Sequence, residues 1–415
     1  MQDLYLKTGE LLLPAPHVDP TAWACIACDQ FTSDPQYWRE AEAFVGNRPS
    51  ALKLILPECD LSQSAARVPQ IHQTMKDYLA QGALCSGVRD GFILTERSTG
   101  SGARVGLVVL LDLEGYDYRK GSQSPVRATE GTIEERIPPR LSIRRGAALE
   151  LSHVMMLIDD PMMSVVEPLF EKRDQLRQLY DFPLMMNGGH LSGYAVTDPA
   201  DLQGVFAALH QLQSRSNLLY AVGDGNHSLA TAKAYWEELK PTLSAAEREN
   251  HPARYAMVEL ENLHDDALVF EPIHRVLYGF DGDTLLDELE KYAMAMGCTL
   301  AGGEGEQDID VVFEGKQVRL SVCGSPYPMA VGTLQAFLDE WMPKHPETRV
   351  DYIHGEAALR KLVAGERAVG FLLPALDKNE LFPAVEKLGS LPRKTFSLGE
   401  AIDKRYYMEA RRLTR

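Results

Sequence analysis

The chain has 415 residues, of which 45% are hydrophobic and 24% are charged. This length suggests two or three packed units, and this composition favours neither disorder nor a fibrous architecture. A formal charge of -17, from 42 Lys and Arg against 59 Asp and Glu, would repel a phosphate backbone, so nucleic acid is not an expected partner.

Cysteine usage and the N-terminus predict a cytoplasmic protein. The six cysteines are scattered and match neither a disulfide framework nor a four-ligand zinc site, which favours reduced thiols. The N-terminus lacks the features of a signal peptide. One of the longest apolar runs, at residues 107–111, is far shorter than the ~20 residues of a membrane span and predicts a buried strand, so no membrane partner is expected.

In chain order, the first 120 residues predict strands at 23–27 and 91–94 and a helix at 68–81. Residues 121–145 form a polar, weakly periodic stretch that predicts a long loop, and such loops are often functional. A strand at 153–158, a helix at 165–180, a hairpin at 184–194 and a helix at 202–213 follow. A strand at 218–222 then leads through a glycine-containing loop to a helix at 228–239.

The last part, from about residue 280, predicts helices at 284–296 and 334–341, strands at 309–313 and 318–322, and a basic terminal helix. The expected fold is therefore α/β, of the mixed α+β type, with several lobes. The predicted ranges are an N-terminal α/β part at 1–120, a core at 121–280 and a smaller C-terminal α+β part at 281–415.

The loop between the strand at 218–222 and the following helix is the strongest candidate for chemistry. A helix N-terminus offers free N–H groups and a positive dipole end to phosphate, and Gly223 and Gly225 allow close backbone approach. Asp224 or His227 could bind a metal or move a proton. An Asx turn with Ser228 as the helix cap explains the same pattern equally well.

Five other groups carry charge or thiols. The polar loop holds Arg127, Glu130 and Arg140, which could grip an anion beside a carboxylate base, or could form a solvated surface. Cys25 and Cys28 are three apart on a predicted strand, which favours structural thiols over a redox pair. Asp159 and Asp160 are best explained as an acidic turn. His274 with Arg275, and residues 393–397, are best explained as surface charges.

Several blocks together resemble the family known as domain of unknown function 1015, over nearly the whole chain. They are, in order, residues 23–33, 127–133, 223–227, 273–275 and 394–397. The loop at Asp224 also resembles the signature of the ParB/sulfiredoxin superfamily, whose members bind nucleotide phosphates at a helix N-terminus. That superfamily includes kinases of free serine, and the resemblance implies a ParB/sulfiredoxin-like core, nucleotide chemistry and a link to serine metabolism.

This chain departs from the superfamily signature at two positions. Ser228 stands where many relatives have Arg, which removes a bidentate phosphate contact. Asn226 stands where they have His or Cys, which argues against a sulfiredoxin-type thiol reaction. Arg127, Arg275 or Lys394 could supply the missing phosphate contact.

The resemblance thus implies a phosphate-handling enzyme, a nucleotide-dependent phosphotransferase that acts on serine or a similar small hydroxyl metabolite, with ATP or ADP and Mg²⁺ as expected cofactors. Glu130 is the predicted general base, and Asp224 and His227 are the other predicted catalytic residues. The predicted contacts to phosphate or substrate are Arg127, Thr129, Gly223, Gly225, Asn226, Ser228, His274, Arg275, Lys394 and Thr395. The rivals are a phosphatase of phosphoserine-like substrates and a non-catalytic nucleotide sensor.

Overall fold

A computed structural model describes residues 3–100, 102–301, 305–364 and 367–414. The chain divides into two compact units, Met1–Val269 with Leu398–Arg415, and Phe270–Ser397. Helices and strands occur in both units, so the mixed α+β class is confirmed. The three-part division predicted from the sequence has its boundaries at other residues, and it stays a prediction.

Helices and strands are numbered here in chain order. The helices are α1 Pro20–Trp23, α2 Pro35–Val45, α3 Ser64–Ala80, α4 Ile137–Arg144, α5 Glu167–Glu171, α6 Pro199–Gln213, α7 Asn226–Leu239, α8 Ala245–Asn250, α9 Gly282–Ala295, α10 Ala330–Trp341, α11 Glu356–Val363 and α12 Lys378–Leu388. The strands are β1 Leu6–Lys7, β2 Gly9–Pro14, β3 Cys25–Ile26, β4 Leu84–Thr99, β5 Gly102–Asp112, β6 Tyr116–Asp117, β7 Val126–Ala128, β8 Leu149–Leu151, β9 Met155–Ile158, β10 Arg177–Pro183, β11 His190–Val196, β12 Tyr220–Asp224, β13 Tyr255–Asn262, β14 Phe270–Tyr278, β15 Thr299–Ala301, β16 Gln307–Phe313, β17 Lys316–Cys323, β18 Arg349–His354, β19 Ala368–Leu372, β20 Phe396–Leu398, β21 Tyr406–Tyr407 and β22 Ala410–Arg412.

The first unit is built on a large mixed sheet with the strand order β6-β7-β12-β9-β13-β5-β4-β2-β22-β8. Its core lies on both faces of the sheet. Val108 and Leu110 of β5 pack into one hydrophobic cluster, while Leu107, Val109 and Leu111 pack into the other. A strand that is buried on both faces needs a continuous apolar run, and the predicted strand at 107–111 is confirmed.

The C-terminal segment returns to the first unit as strands. β22 pairs with β2 and β8, and β21 pairs with β3. The predicted basic terminal helix is wrong. The segment forms strands instead, because its charged side chains form ion pairs inside the core. Arg405 contacts Glu259 at 2.6 Å and Glu409 at 2.7 Å, and Arg411 forms an ion pair with Glu150.

Three other local predictions need correction. The helix predicted at 165–180 is wrong beyond α5, because Tyr180 and Phe182 alternate into the core on β10. The polar loop at 121–145 contains β7 and α4, which begins with prolines at positions that need no N–H donor. The strand predicted at 23–27 is only Cys25–Ile26, because Trp23 ends helix α1.

The second unit contains an antiparallel sheet with the order β15-β17-β16-β19-β14-β18 and with β20 beside β14. Helices α9 and α10 and strands β16 and β17 lie where the sequence predicted them. Within the ranges that the structure describes, no helix is both long and apolar enough to cross a membrane.

Candidate functional site

The loop between β12 and α7 is shaped by two glycines. Gly225 precedes the helix with φ 80°, a backbone conformation that favours glycine, and a Cβ there would lie 3.0 Å from Val154 Cα. At Gly223 a Cβ would lie 2.8 Å from Leu398 Cδ1. The backbone angle and packing favour glycine at position 225, and close side-chain packing favours it at position 223, whatever the loop binds.

Helix α7 begins at Asn226, so the interpretation of Ser228 as its cap is wrong. Ser228 lies inside the first turn, and no side chain of the described residues caps this helix. The N–H groups of a first turn have no partner within the helix. They lie at the positive end of a 14-residue helix, an arrangement suited to an anion.

The carboxyl ends of two parallel strands bring the predicted residues to this helix end. β7 runs parallel to β12, with Ala128 opposite Val222. Beyond that pair, Thr129 Oγ1 donates a 2.6 Å hydrogen bond to the Val222 carbonyl. The Ile133 N–H donates to His227 Nε2 at 3.2 Å. The half-buried Glu130 therefore belongs to a short segment that is tied at both sides to the loop and helix.

The contact with Ile133 defines the protonation of His227. A ring nitrogen that accepts a hydrogen bond carries no proton, so the proton of the neutral ring lies on Nδ1. The contact between Ile133 N–H and Nε2 also helps to hold the ring of His227 in place.

A cluster of ionisable side chains lies at the same edge of the sheet. We call it the Asp29 cluster, and its members are Asp29, His153, Asp224, Lys404 and Tyr407. His153 Nδ1 lies 2.6 Å from the Tyr407 hydroxyl, and its Nε2 lies 3.5 Å from Asp29 Oδ2. Lys404 Nζ lies 3.3 Å from Asp224 Oδ2.

Strand pairing assembles the Asp29 cluster from distant parts of the chain. β3 pairs with β21, with Cys25 opposite Tyr407. His153 comes just before β9, whose first residue, Met155, pairs with Asp224 at the end of β12. The cluster therefore depends on four separate segments meeting at one sheet edge.

Electrostatics in the Asp29 cluster favour charged Asp29 and His153. Burial would raise the pKa of Asp29, but the positive charges of His153 and Lys404 and hydrogen bonds hold that pKa below its usual range. Burial would lower the pKa of His153, but Asp29 and then Asp224 raise it overall. An anion and a cation thus stabilise each other in a largely water-excluded place.

Cys28 adjoins the Asp29 cluster without being a reactive thiol. Burial first, and then the negative charge of Asp29, raise the pKa of Cys28 to about 12. A thiol is nucleophilic as the thiolate, so this environment suppresses its reactivity. All six cysteines have free thiols, and the environment of Cys28 supports the structural interpretation of the pair with Cys25.

Two buried polar atoms next to the loop lack hydrogen bonds. Within the part of the chain that the structure describes, Asn226 Oδ1 and Thr132 Oγ1 have no hydrogen-bond partner. Buried polar atoms are normally paired, so such atoms need an explanation. A ligand that offers hydrogen-bond donors and acceptors at this place would satisfy both.

The other predicted contacts are either buried in the first unit or belong to the second unit. Arg127 is 1% exposed, and its Nε donates to the Ser124 carbonyl at 2.7 Å. Its predicted role in anion binding stays a prediction, and burial disfavours it. The remaining predicted contacts belong to the second unit, and they are His274, Arg275, Lys394 and Thr395.

Arg275 resembles Arg127 in being enclosed by protein. It is fully buried, and its guanidinium donates to the carbonyls of Ile273 and Arg393. Thr395 is also buried and donates to the Pro392 carbonyl at 2.7 Å. These contacts indicate roles in the folding of the second unit, and the predicted ligand contacts stay predictions.

The acidic pair Asp159 and Asp160 forms a structural turn. Asp160 Oδ2 accepts hydrogen bonds from the N–H groups of Ser164 and Val165, at 2.6 and 2.9 Å. Asp159 lies 2.7 Å from His264 Nε2. Among the described residues no group of three or more His, Cys, Asp or Glu side chains is arranged to hold a metal ion.

Sequence reasoning missed three members of the Asp29 cluster. His153 was interpreted only as the start of a strand, and Lys404 and Tyr407 fell within the predicted terminal helix. Asp29 belonged to a segment interpreted either as a pocket lining or as a turn. No local signal marked these residues, because each partner is distant in sequence.

Comparison with protein families places the chain in one of them. Residues 12–358 match the family described as "Protein of unknown function (DUF1015)", so the chain belongs to that family. The resemblance stated from the sequence blocks is confirmed. No curated protein is similar enough to count as a relative.

Several solved structures are distantly similar. A free serine kinase mutant in complex with AMP has 12% identity and a TM-score of 0.41, with 74% of this chain and 92% of that chain covered. A mutant of the kinase in complex with ADP has 12% identity, a TM-score of 0.40 and the same coverage. A conserved hypothetical protein from Pyrococcus furiosus has 12% identity and a TM-score of 0.36, with 74% and 95% covered.

Proposed function

We propose that this protein is a phosphate-handling enzyme, specifically a nucleotide-dependent phosphotransferase that acts on serine or a similar small hydroxyl metabolite. The observation that carries the proposal is the meeting of β7 and β12 at the start of α7. There an uncapped helix end adjoins a tethered acidic segment and two buried polar atoms without hydrogen bonds. A helix end suited to an anion and a neighbouring carboxylate are two of the parts that phosphoryl transfer uses, a phosphate-binding element and a general base.

The proposed phosphate contacts come from the loop and the Asp29 cluster. The first N–H groups of α7 bind phosphate oxygens, and Lys404, beside Asp224, adds positive charge. His227, in the first turn of α7 and held by its contact with Ile133, stabilises the transferred group. The charge of Lys404 and the α7 helix end take the place of the Arg that Ser228 replaces.

The proposed acceptor chemistry uses Glu130 as the general base. The acceptor hydroxyl oxygen forms a bond to phosphorus while the bond from phosphorus to the nucleotide oxygen breaks. The hydroxyl proton passes to Glu130, and the nucleotide leaves with one phosphate fewer. Asn226 Oδ1 and Thr132 Oγ1, which have no hydrogen-bond partner among the described residues, orient the substrate by hydrogen bonds.

ATP or ADP with Mg²⁺ is the proposed cofactor. Mg²⁺ at such sites is held by one or two carboxylates together with substrate phosphates, and Asp29 and Asp224 are carboxylates of that kind. The ion would offset phosphate charge. Asp29 and Asp224 are each already beside a cation, so these residues and the rest of the described chain form no preassembled metal site.

Product analysis tests the reaction class. The purified protein is incubated with L-serine, Mg²⁺ and ATP or ADP, and separately with phosphoserine alone, and phosphorus NMR follows both. Nucleotide-dependent phosphoserine is expected. Phosphate release from phosphoserine without nucleotide would instead identify a phosphatase. Tight nucleotide binding without any product would identify a sensor for nucleotides.

A further inference from the structure

The second unit contains a cleft that the proposed chemistry does not use. Its volume is about 530 Å³, which lies in the range of small-molecule binding sites. We call it the acidic cleft because carboxylates dominate its charged lining. The charged side chains that line it are Glu271, Asp308, Asp310, Glu356 and Arg319.

His274 presents a polar atom to the acidic cleft. Its side chain is 5% exposed, and its Nδ1 accepts a 3.1 Å hydrogen bond from the Leu373 N–H. The proton of the neutral ring therefore lies on Nε2. His274 lines the cleft, and its contact with Leu373 uses Nδ1, so the Nε2–H of this largely buried side chain can donate to a ligand in the cleft.

The carboxylates of the acidic cleft differ in how well their charge is compensated. Asp310 takes two hydrogen bonds from Arg319, at 2.8 and 2.9 Å, and Glu356 lies 2.6 Å from Arg360. Glu271 forms no ion pair with any described residue. It is half-buried, so solvent screens its charge less than it would a fully exposed one.

This lining favours a cation and disfavours phosphate. Burial lowers the pKa of His274, so the ring is neutral and adds no positive charge. The one cationic side chain of the lining, Arg319, is already occupied by Asp310. The sequence-based hypothesis that His274 contacts an anion therefore conflicts with its surroundings. Leu372, Leu373 and Pro374 add an apolar wall that fits a short hydrocarbon chain.

We propose that the acidic cleft binds a small aliphatic ligand that carries a positively charged amine and a hydrogen-bond acceptor. The amine binds at Glu271, the hydrocarbon part packs on the Leu372–Pro374 wall, and the acceptor accepts a hydrogen bond from His274 Nε2–H. This site is independent of the loop at Asp224. Its failure would leave the proposed phosphotransferase activity untouched.

Isothermal titration calorimetry of the full chain tests the site with L-lysine as the cationic probe and inorganic phosphate as the anionic probe. L-lysine is expected to bind, and phosphate is not. Glu271→Gln removes one charge without changing size and is expected to weaken L-lysine binding by about tenfold or more, because hydrogen bonds to charged groups contribute ~1.5–3 kcal/mol. Added salt is expected to weaken binding as well.

Glu347→Gln is the matched control, because Glu347 is an exposed carboxylate of the same unit outside the cleft lining. It is expected to bind L-lysine as the unmodified protein does, and thermal unfolding verifies that both variants fold. Equal effects of the two substitutions would overturn the proposal. Binding of phosphate in place of L-lysine, or binding of neither probe, would overturn it too.

Discussion

His153 Nε2 lies 3.5 Å from Asp29 Oδ2, while the opposite ring nitrogen lies 2.6 Å from the Tyr407 hydroxyl. The imidazole is buried and is thus held from both sides by groups of the first and last segments of the unit. Its charge state depends on Asp29, because burial alone would leave the ring neutral.

Replacement of Asp29 should lower the pKa of His153. In Asp29→Asn the carboxylate that opposes the effect of burial is gone, so the pKa of His153 is expected to fall below its value in the unmodified protein. An NMR titration of the histidine ring protons measures this. Asp159→Asn is the matched control, since Asp159 contacts His264 instead, and it should leave the His153 titration unchanged. An unchanged pKa of His153 in Asp29→Asn would contradict the described pairing.

The stability conferred by this pair should depend on pH in a defined direction. The pKa of His153 is raised, so its contribution is full below the unfolded value of about 6.5 and is lost as pH rises through the folded pKa. The pKa of Asp29 is lowered, so its contribution is present above about 3.9 and is lost as pH falls. Asp29→Asn should therefore destabilise the protein more at about pH 5.5 than at about pH 9. Urea unfolding at both pH values tests this, and an equal cost at both would argue against a charged pair.

Glu130→Gln should reduce the rate of phosphoryl transfer by about 10²–10⁴-fold, the usual contribution of a general base. The amide keeps the size of the side chain but cannot take the proton, so kcat should fall with little change in KM. Glu134→Gln, in the same segment but exposed, should retain activity. Full activity of Glu130→Gln would exclude Glu130 as the base and would direct attention to Asp29 and His153.

Two glycines with the same backbone angle allow the stability cost of backbone strain to be separated from that of packing. Gly225 and Gly121 both have φ 80°, but a Cβ meets Val154 Cα at 3.0 Å at the first position and nothing within 4 Å at the second. Gly121→Ala should cost ~1–2 kcal/mol of unfolding free energy from the left-handed conformation. Gly225→Ala should cost more, because the backbone of Val154 must also move. Denaturant unfolding compares them, and equal costs would show that the loop adapts without strain.

The buried charges of the C-terminal segment should contribute strongly to stability. Arg405→Met leaves Glu259 and Glu409 without their shared cation in the core, and breaking a buried pair typically costs ~3–5 kcal/mol. Arg145→Met removes an exposed pair with Glu238 and should cost only ~0–1 kcal/mol. Urea unfolding of the two variants gives the comparison. A small cost for Arg405→Met would mean that the segment is not anchored by these charges.

Local patterns in the sequence predicted most elements whose periodicity is set by burial. Helices α3, α6, α7, α9 and α10 and the buried strand β5 follow from hydrophobic spacing. The same rule failed where partners are distant. Residues 177–183 have an alternating pattern but were predicted as part of a helix. The basic C-terminal segment forms strands because buried carboxylates compensate its arginines.

By itself, the sequence determined the family, the mixed α+β class and the glycine loop at the start of α7, because each depends on residues close together in the chain. Only the tertiary structure decided that Asp29, His153 and Tyr407 meet, and that His274 lines a cleft together with several carboxylates. The physical reason is that ionisation and hydrogen bonding depend on spatial neighbours. Those neighbours are chosen by strand pairings between distant segments, which no local periodicity encodes.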